Sequence, residues 1–201
     1  MKKNLWKVLA ANARQQDSSY FVYGFYSPFF RLCTMSNSSH SDLHLSPDLE
    51  SAVQEHLEHV KSIISKGPAL HDTMHEICSY LHAQISHFDW VGFYLDDPEK
   101  KGYLKLGPYI GAPTDHTSIP YGKGICGQVA VSLETFISQD VHAEDNYIAC
   151  SLEVQSEIVV PILKEGRFMA QIDIDSNTRS GITPADQKLL EGICALLSPH
   201  F

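Results

Sequence analysis

Apolar residues recur every three or four positions at Leu49, Val53, Leu57, Val60 and Ile64, the spacing of one helix face. Ser46 and Pro47 stand ahead of this stripe as N-cap and first-turn residues. Asp48 and Glu50 suit the positive helix end, and Lys66-Gly67-Pro68 stops the run. A second run with the same period, Leu70, Met74, Ile77, Cys78 and Leu81, predicts a helix over 69–84 with those side chains inward. From Trp90 the period falls to that of strands. WVGFYL at 90–95 is aromatic and β-branched, DDPEKKG at 96–102 is a hairpin turn, and YLKLG at 103–107 is the returning strand. IGAPTDHTSIPYGKG at 110–124 reads as loop throughout, broken by glycine and proline.

The segment 124–131 can start a helix with glycine on either side of Cys126, and TFIS at 135–138 is a short strand before a long loop over 139–156. EIVVPIL at 157–163 and FMAQIDID at 168–175 are strands joined by the turn KEGR. Thr183-Pro184-Ala185-Asp186 caps a final helix that carries Leu189, Leu190, Ile193, Leu196 and Leu197, with Cys194 in the same apolar pattern. Two N-terminal helices, a meander of about six strands and a closing helix predict an α+β domain over 47–201 with one antiparallel sheet flanked by helices. Residues 1–46 read differently. They hold an aromatic but aperiodic YFVYGFYSPFF and a polar, linker-like SNSSHSDLH, and are expected to be a poorly ordered extension, with Met35 as an alternative start. The apolar stretch near Leu5 is interrupted by Lys7 and is too short for an export signal.

Composition narrows the function classes. A 201-residue chain with 43% hydrophobic residues can bury a full core. A formal charge of −9 without clustered Lys or Arg argues against a nucleic-acid partner. No apolar run approaches the roughly 18–20 residues of a membrane span. Five widely spaced cysteines and no CxxC favour a reducing compartment, and a cytoplasmic location is expected. His71 and His75 share a helix face at i, i+4, but no HExxH order or cysteine cluster accompanies them, so no metal and no cofactor is expected.

The candidate chemistry lies between residues 122 and 175. Asp173 and Asp175 alternate with Ile172 and Ile174, which puts both carboxylates on one sheet face, and Glu157 stands at the entrance of the neighbouring strand. Aspartate is disfavoured in strands and like charges repel, so a ligand ammonium or a shared proton would satisfy the arrangement; a face open to water is the plainer alternative. A carboxyl held protonated there would be available as a general acid. Cys150 lies in a loop between the small residues Ala149 and Ser151, where a thiolate could act as nucleophile. Cys126 falls near the positive end of the helix at 124–131, a second setting that favours thiolate. The two cysteines could meet if TFIS turns the chain back; otherwise they are unrelated thiols. Trp90 and Tyr94, four apart on one strand, share a face and either wall a pocket or pack the core.

WVGFY at 90–94, GPY at 107–109, IPYGKGICG at 119–127, QDVH at 139–142, YIAC at 147–150, SEIVVPI at 156–162 and DID at 173–175, taken in this order, closely resemble the free methionine-R-sulfoxide reductases. These are single GAF-domain enzymes that reduce the R-sulfoxide of free methionine, and the similarity spans roughly 49–197. The resemblance implies that Cys150 attacks the sulfoxide sulfur to give a sulfenic acid and methionine. It implies that Cys126 closes a disulfide with Cys150, which thioredoxin, an external reductant, reopens. It gives Glu157, Asp173 and Asp175 the substrate ammonium and the protonation of the sulfoxide oxygen, and it places Trp90 and Tyr94 around the sulfur and methyl end. A homodimer is compatible with the family.

The chain departs from the family pattern at two positions. The loop before IPYGKGICG lacks the third cysteine common in the family, with His116 ten residues before Cys126, and Ser151 follows Cys150 where the family usually has Asp. A GAF module that binds a small ligand or senses redox state without catalysis is the alternative reading.

Overall fold

The first apolar stripe forms helix α1 (Pro47–Ser65), whose first turn is held by the Ser46 hydroxyl accepting from the Leu49 amide at 3.4 Å. Its geometry comes from a computed structural model that describes residues 45–67, 69–144 and 153–201. Leu49, Val53, Val60 and Ile63 are buried, while Leu57 and Ile64 pack only partly against the core. The expected stripe thus shifts by one residue in its last turn. Ile63, three residues after Val60, faces the core more directly than Ile64, because 3.6 residues per turn lets the inward line drift. Helix α2 (Leu70–Gln84) buries Met74, Ile77, Cys78 and Leu81 as expected, and burial pushes the Cys78 thiol far up.

Six strands follow: β1 (Trp90–Asp96), β2 (Tyr103–Ile110), β3 (Ser118–Pro120), β4 (Phe136–Ser138), β5 (Ser156–Lys164) and β6 (Arg167–Ser176). They form one antiparallel sheet in the order β3-β2-β1-β6-β5-β4. Two readings of the chain are corrected here. The stretch 110–124 is not all loop, since Ile110 ends β2 and Ser118–Pro120 pairs with Tyr103–Lys105 as an edge strand. The strand read as 103–107 also runs on through Gly107-Pro108-Tyr109. Proline is tolerated there because β3 pairs only with the first residues of β2, leaving Pro108 on an open edge where no ladder donor is needed. Pro161 of β5 similarly lies beyond the pairing of β4, which reaches only Glu157–Val159. The β5–β6 turn sets Glu165 at φ 51 and Gly166 at φ 74, two positive values that match a tight primed hairpin.

The period of two gives the sheet two buried faces. On one, Val91, Phe93, Ile158, Val160, Ile162, Ala170, Ile172 and Ile174 pack against α1, α2 and the closing helix α4 (Pro184–Leu197). Each such buried valine, isoleucine or phenylalanine contributes about 1.5–3 kcal/mol. On the other, Trp90, Tyr94 and Val159 meet Ile125, Cys126, Val129 and Ala130 of helix α3 (Gly124–Ser132), with Val141 and Val154 from the adjoining loop. Helix α4 starts in a capping box between Thr183 and Asp186, and the buried His87 just ahead of β1 hydrogen-bonds Asp186 at 2.9 Å. Among the described residues no helix is long and apolar enough to cross a membrane.

Candidate active site

The β5–β6 register sets Glu157 directly opposite Asp175, while Asp173 lies between Val159 of β5 and Gly92 of β1. All three acids point into the face covered by α3, and each is nearly inaccessible: Glu157 is 4%, Asp173 1% and Asp175 2% exposed. Burial is the main force on their protons. It raises Asp173 to about 7, against which a hydrogen bond from Cys126 pulls down. Burial, then the Asp173, Asp175 and Glu144 carboxylates, hold Glu157 well above the usual carboxylate range; burial, then Asp173 and Asp89, do the same to Asp175. The Oδ1 atoms of Asp173 and Asp175 have no hydrogen-bond partner among the described residues. Both the open acceptors and the clustered charge invite a proton or a cation.

Cys126 reaches this face from the first turn of α3. Gly127 lets that turn press against β3, since a Cβ there would stand 2.6 Å from the Pro120 carbonyl oxygen. The Cys126 thiol donates to Asp173 Oδ2 at 3.2 Å. The sequence reading expected a thiolate favoured by the helix end. The structure keeps Cys126 in the first turn of α3 and adds a contact that the helix end alone does not announce, the buried Asp173 acid that accepts from its thiol. One potential ligand atom from each of Cys126, Glu157 and Asp173 lies within 4.8 Å of the others, close enough to share a single ion. His71 and His75 are exposed, and His71 lies 3.7 Å from Asp72.

The aromatic side of the site is built on β1. Trp90 stacks between Tyr94 and Tyr109, at centroid separations of 6.3 and 5.3 Å. Gly92 makes room for this, because a Cβ on it would lie 2.2 Å from the Trp90 ring. The Trp90 indole donates to the Ala112 carbonyl at 3.1 Å and the Tyr94 hydroxyl to the His116 carbonyl at 3.0 Å, which fasten the loop before β3 over the site. A cavity of about 50 Å³ lies between Trp90, Ala112, Thr114, Val154 and Asp175. A larger cleft, about 760 Å³, runs between Leu133, Thr135, Pro161, Glu191 and Cys194 at the opposite sheet edge. None of the buried acids, nor Cys126, lines it.

The fold therefore brings Trp90, Tyr94, Cys126, Glu157, Asp173 and Asp175 to one face. Cys150, the expected nucleophile, lies outside the described residues, as do residues 1–44 of the expected extension. Sequence reasoning missed Glu144, whose carboxylate accepts from Ser138 at 2.9 Å and raises Glu157. It missed Asp89 as well, which anchors the Asn177 amide at 2.8 Å and raises Asp175. Only Asp89 carried a signal, one residue ahead of the strand that bears Trp90.

Residues 68–199 match the GAF domain family. The free methionine-R-sulfoxide reductase of Saccharomyces cerevisiae is 38% identical over 111 residues, 55% of this chain and 61% of the yeast protein, so the match spans less than two thirds of that relative. The free methionine-R-sulfoxide reductase of Escherichia coli is 31% identical over 125 residues, covering 62% of this chain and 73% of the relative. Among solved structures, the free methionine-R-sulfoxide reductase of Neisseria meningitidis in complex with its substrate superposes with a TM-score of 0.71 at 30% identity, over 79% of this chain and 92% of its own.

Proposed function

Since the chain belongs to the free methionine-R-sulfoxide reductase family of GAF-domain proteins, we propose that it reduces the R-sulfoxide of free L-methionine to methionine. The observation that carries this reading is the trio of buried carboxylates, Glu157, Asp173 and Asp175, facing Cys126 beside the Trp90–Tyr94 stack. A free amino acid brings an ammonium group, which protein-bound methionine lacks, and that ammonium matches the acidic face. The aromatic rings suit the thioether end, where sulfur packs favourably on π-faces.

In the proposed sequence a carboxyl of the acid face, Asp173 foremost, gives its proton to the sulfoxide oxygen while the Cys150 thiolate attacks the sulfur. The oxygen passes to the cysteine, leaving Cys150 as a sulfenic acid and releasing methionine. The Cys126 thiol then attacks the sulfenic sulfur; an S–S bond forms and water leaves. Thioredoxin, by thiol–disulfide exchange, returns two electrons and both thiols. Cys126 serves as resolving thiol because the loop at 110–117 offers no cysteine. This chemistry suits a reducing compartment such as the cytoplasm. A homodimer is compatible with it and contributes no residue to the reading.

The test is NADPH consumption by thioredoxin reductase and thioredoxin with this protein and free methionine-R-sulfoxide, beside the S-epimer and Cys150→Ser. Turnover confined to the R-epimer and lost in Cys150→Ser supports the proposal. Absence of both turnover and methionine release overturns it in favour of a ligand-binding GAF module.

A further inference from the structure

Cys126, Glu157 and Asp173 come from α3, β5 and β6, yet one sulfur and two carboxylate oxygens from them lie within 4.8 Å of one another. Each of the three residues is more than nine-tenths buried. Independently, Asp173 Oδ1 on the same face has no hydrogen-bond partner among the described residues, and neither has Asp175 Oδ1 beside it. A buried acceptor left open points to a group that the described residues do not supply. We propose that this cluster binds a single borderline-soft divalent cation of the Zn²⁺ class, with Cys126 Sγ, Glu157 and Asp173 as ligands.

The donor set selects the class of ion. Calcium and magnesium prefer six or more oxygen ligands and gain nothing from a thiolate, whereas zinc takes mixed sulfur and oxygen ligands in a tetrahedron. Zinc bonds of about 2.3 Å to sulfur and 2.0–2.2 Å to oxygen place ligand atoms about 3.5 Å apart. The pair Cys126 Sγ and Asp173 Oδ2 already stands at 3.2 Å, and a Glu157 oxygen lies within 4.8 Å of the other two ligand atoms, so the third position needs only a short approach of that carboxylate. Binding releases the Cys126 thiol proton and any proton held by the two acids. The ion then faces three negative ligands, with the fourth position open to water or to Asp175.

Under the proposed function the same carboxylates hold the substrate ammonium, so cation and substrate exclude one another; this exclusion rests on that reading, while the site itself does not. Occupancy would hold the resolving thiol and the acid face together and silence the reductase.

The experiment is an anaerobic titration of the reduced full-length protein with Co²⁺, whose thiolate charge-transfer band in the near ultraviolet reports sulfur ligation directly. One equivalent is expected to saturate the band, Zn²⁺ to bleach it, Cys126→Ser to abolish it, and Asp173→Asn and Glu157→Gln to weaken binding about tenfold or more in protein folded by circular dichroism. Free methionine, which carries the same ammonium but cannot oxidise the thiols, is expected to weaken Co²⁺ binding to the unaltered protein, a readout that needs no variant to fold. No charge-transfer band, or a band that survives Cys126→Ser, or one indifferent to both acid variants overturns the site. A band in protein that shows no turnover in metal-free buffer leaves the cation site standing and removes the substrate reading. A band untouched by methionine removes the exclusion alone.

Discussion

Glu157 on β5 faces Asp175 on β6 directly across the ladder, and both side chains are buried. Like charges at such a pair destabilise a sheet, and here water cannot screen them. Burial above all, and for Glu157 and Asp175 the neighbouring carboxylates as well, makes each carboxyl of the face bind its proton more tightly in the folded protein than in the unfolded chain. As pH rises from about 4 the unfolded chain ionises first and stability falls, until the folded groups ionise too, near 7 for Asp173. Asp175→Asn should relieve this. We expect it to leave stability nearly unchanged at about pH 4 and to raise it by on the order of 1–3 kcal/mol at about pH 8. Chemical denaturation of both proteins at the two pH values measures the difference.

Asp173, raised to about 7 and in contact with the Cys126 thiol, is the acid best placed to hold a proton at neutral pH and give it up. A general acid must be protonated to act, so kcat/KM for free methionine-R-sulfoxide should fall as pH rises through about 7. Asp173→Asn should lower kcat by about 10²–10⁴-fold and erase that limb. The pH–rate profiles of the two proteins decide the matter: a limb that persists in the variant assigns the proton elsewhere.

How much of this site could be read in advance follows from the range of each signal. Asp173 and Asp175 were legible because alternation with Ile172 and Ile174 is a local pattern, and the strand period alone fixes their common face. Thr183 and Asp186 were legible for the same reason, a capping box being contained in four residues. The three-residue strand β3 was not, since its pairing is set by β2 and not by any period of its own. Glu144 and Asp89 reach the acids through tertiary contacts, which spacing does not report. The Cys126–Asp173 contact was not legible either, because the helix end is local and Asp173 lies 47 positions away.

Gly92 is part of the aromatic wall although it has no side chain. A Cβ at this position would stand 2.2 Å from the Trp90 ring and 2.9 Å from the Cβ of Tyr109. Gly92→Ala should displace the indole, costing about 1–3 kcal/mol through overpacking. KM for the sulfoxide should rise more than kcat falls if, as proposed, the wall positions substrate and takes no part in proton transfer. Denaturation and steady-state kinetics on the same preparation separate the two effects.

Asp186 Oδ2 accepts from His87 Nε2 at 2.9 Å and from both the amide and the hydroxyl of Thr183 at 2.7 Å, with Asp186 wholly buried. His87→Ala removes one of three donors and leaves a cavity beside a buried carboxylate. The expected loss is about 1–3 kcal/mol of stability, with kcat/KM nearly unchanged at temperatures where the variant is folded. Thermal unfolding and kinetics check both halves.

Cys126 lies against Asp173, so it is held at the acid face where the proposed oxygen transfer takes place. If it resolves the sulfenic acid, Cys126→Ser keeps the nucleophile and the acids but has nothing to condense with it. Such a protein should release about one methionine per chain and then turn over at least about tenfold more slowly with thioredoxin. Quenched-flow counting of methionine gives the burst, and the coupled NADPH assay gives the steady rate. A full steady rate in Cys126→Ser would mean that thioredoxin reduces the sulfenic acid directly and that Cys126 takes no required part in electron transfer.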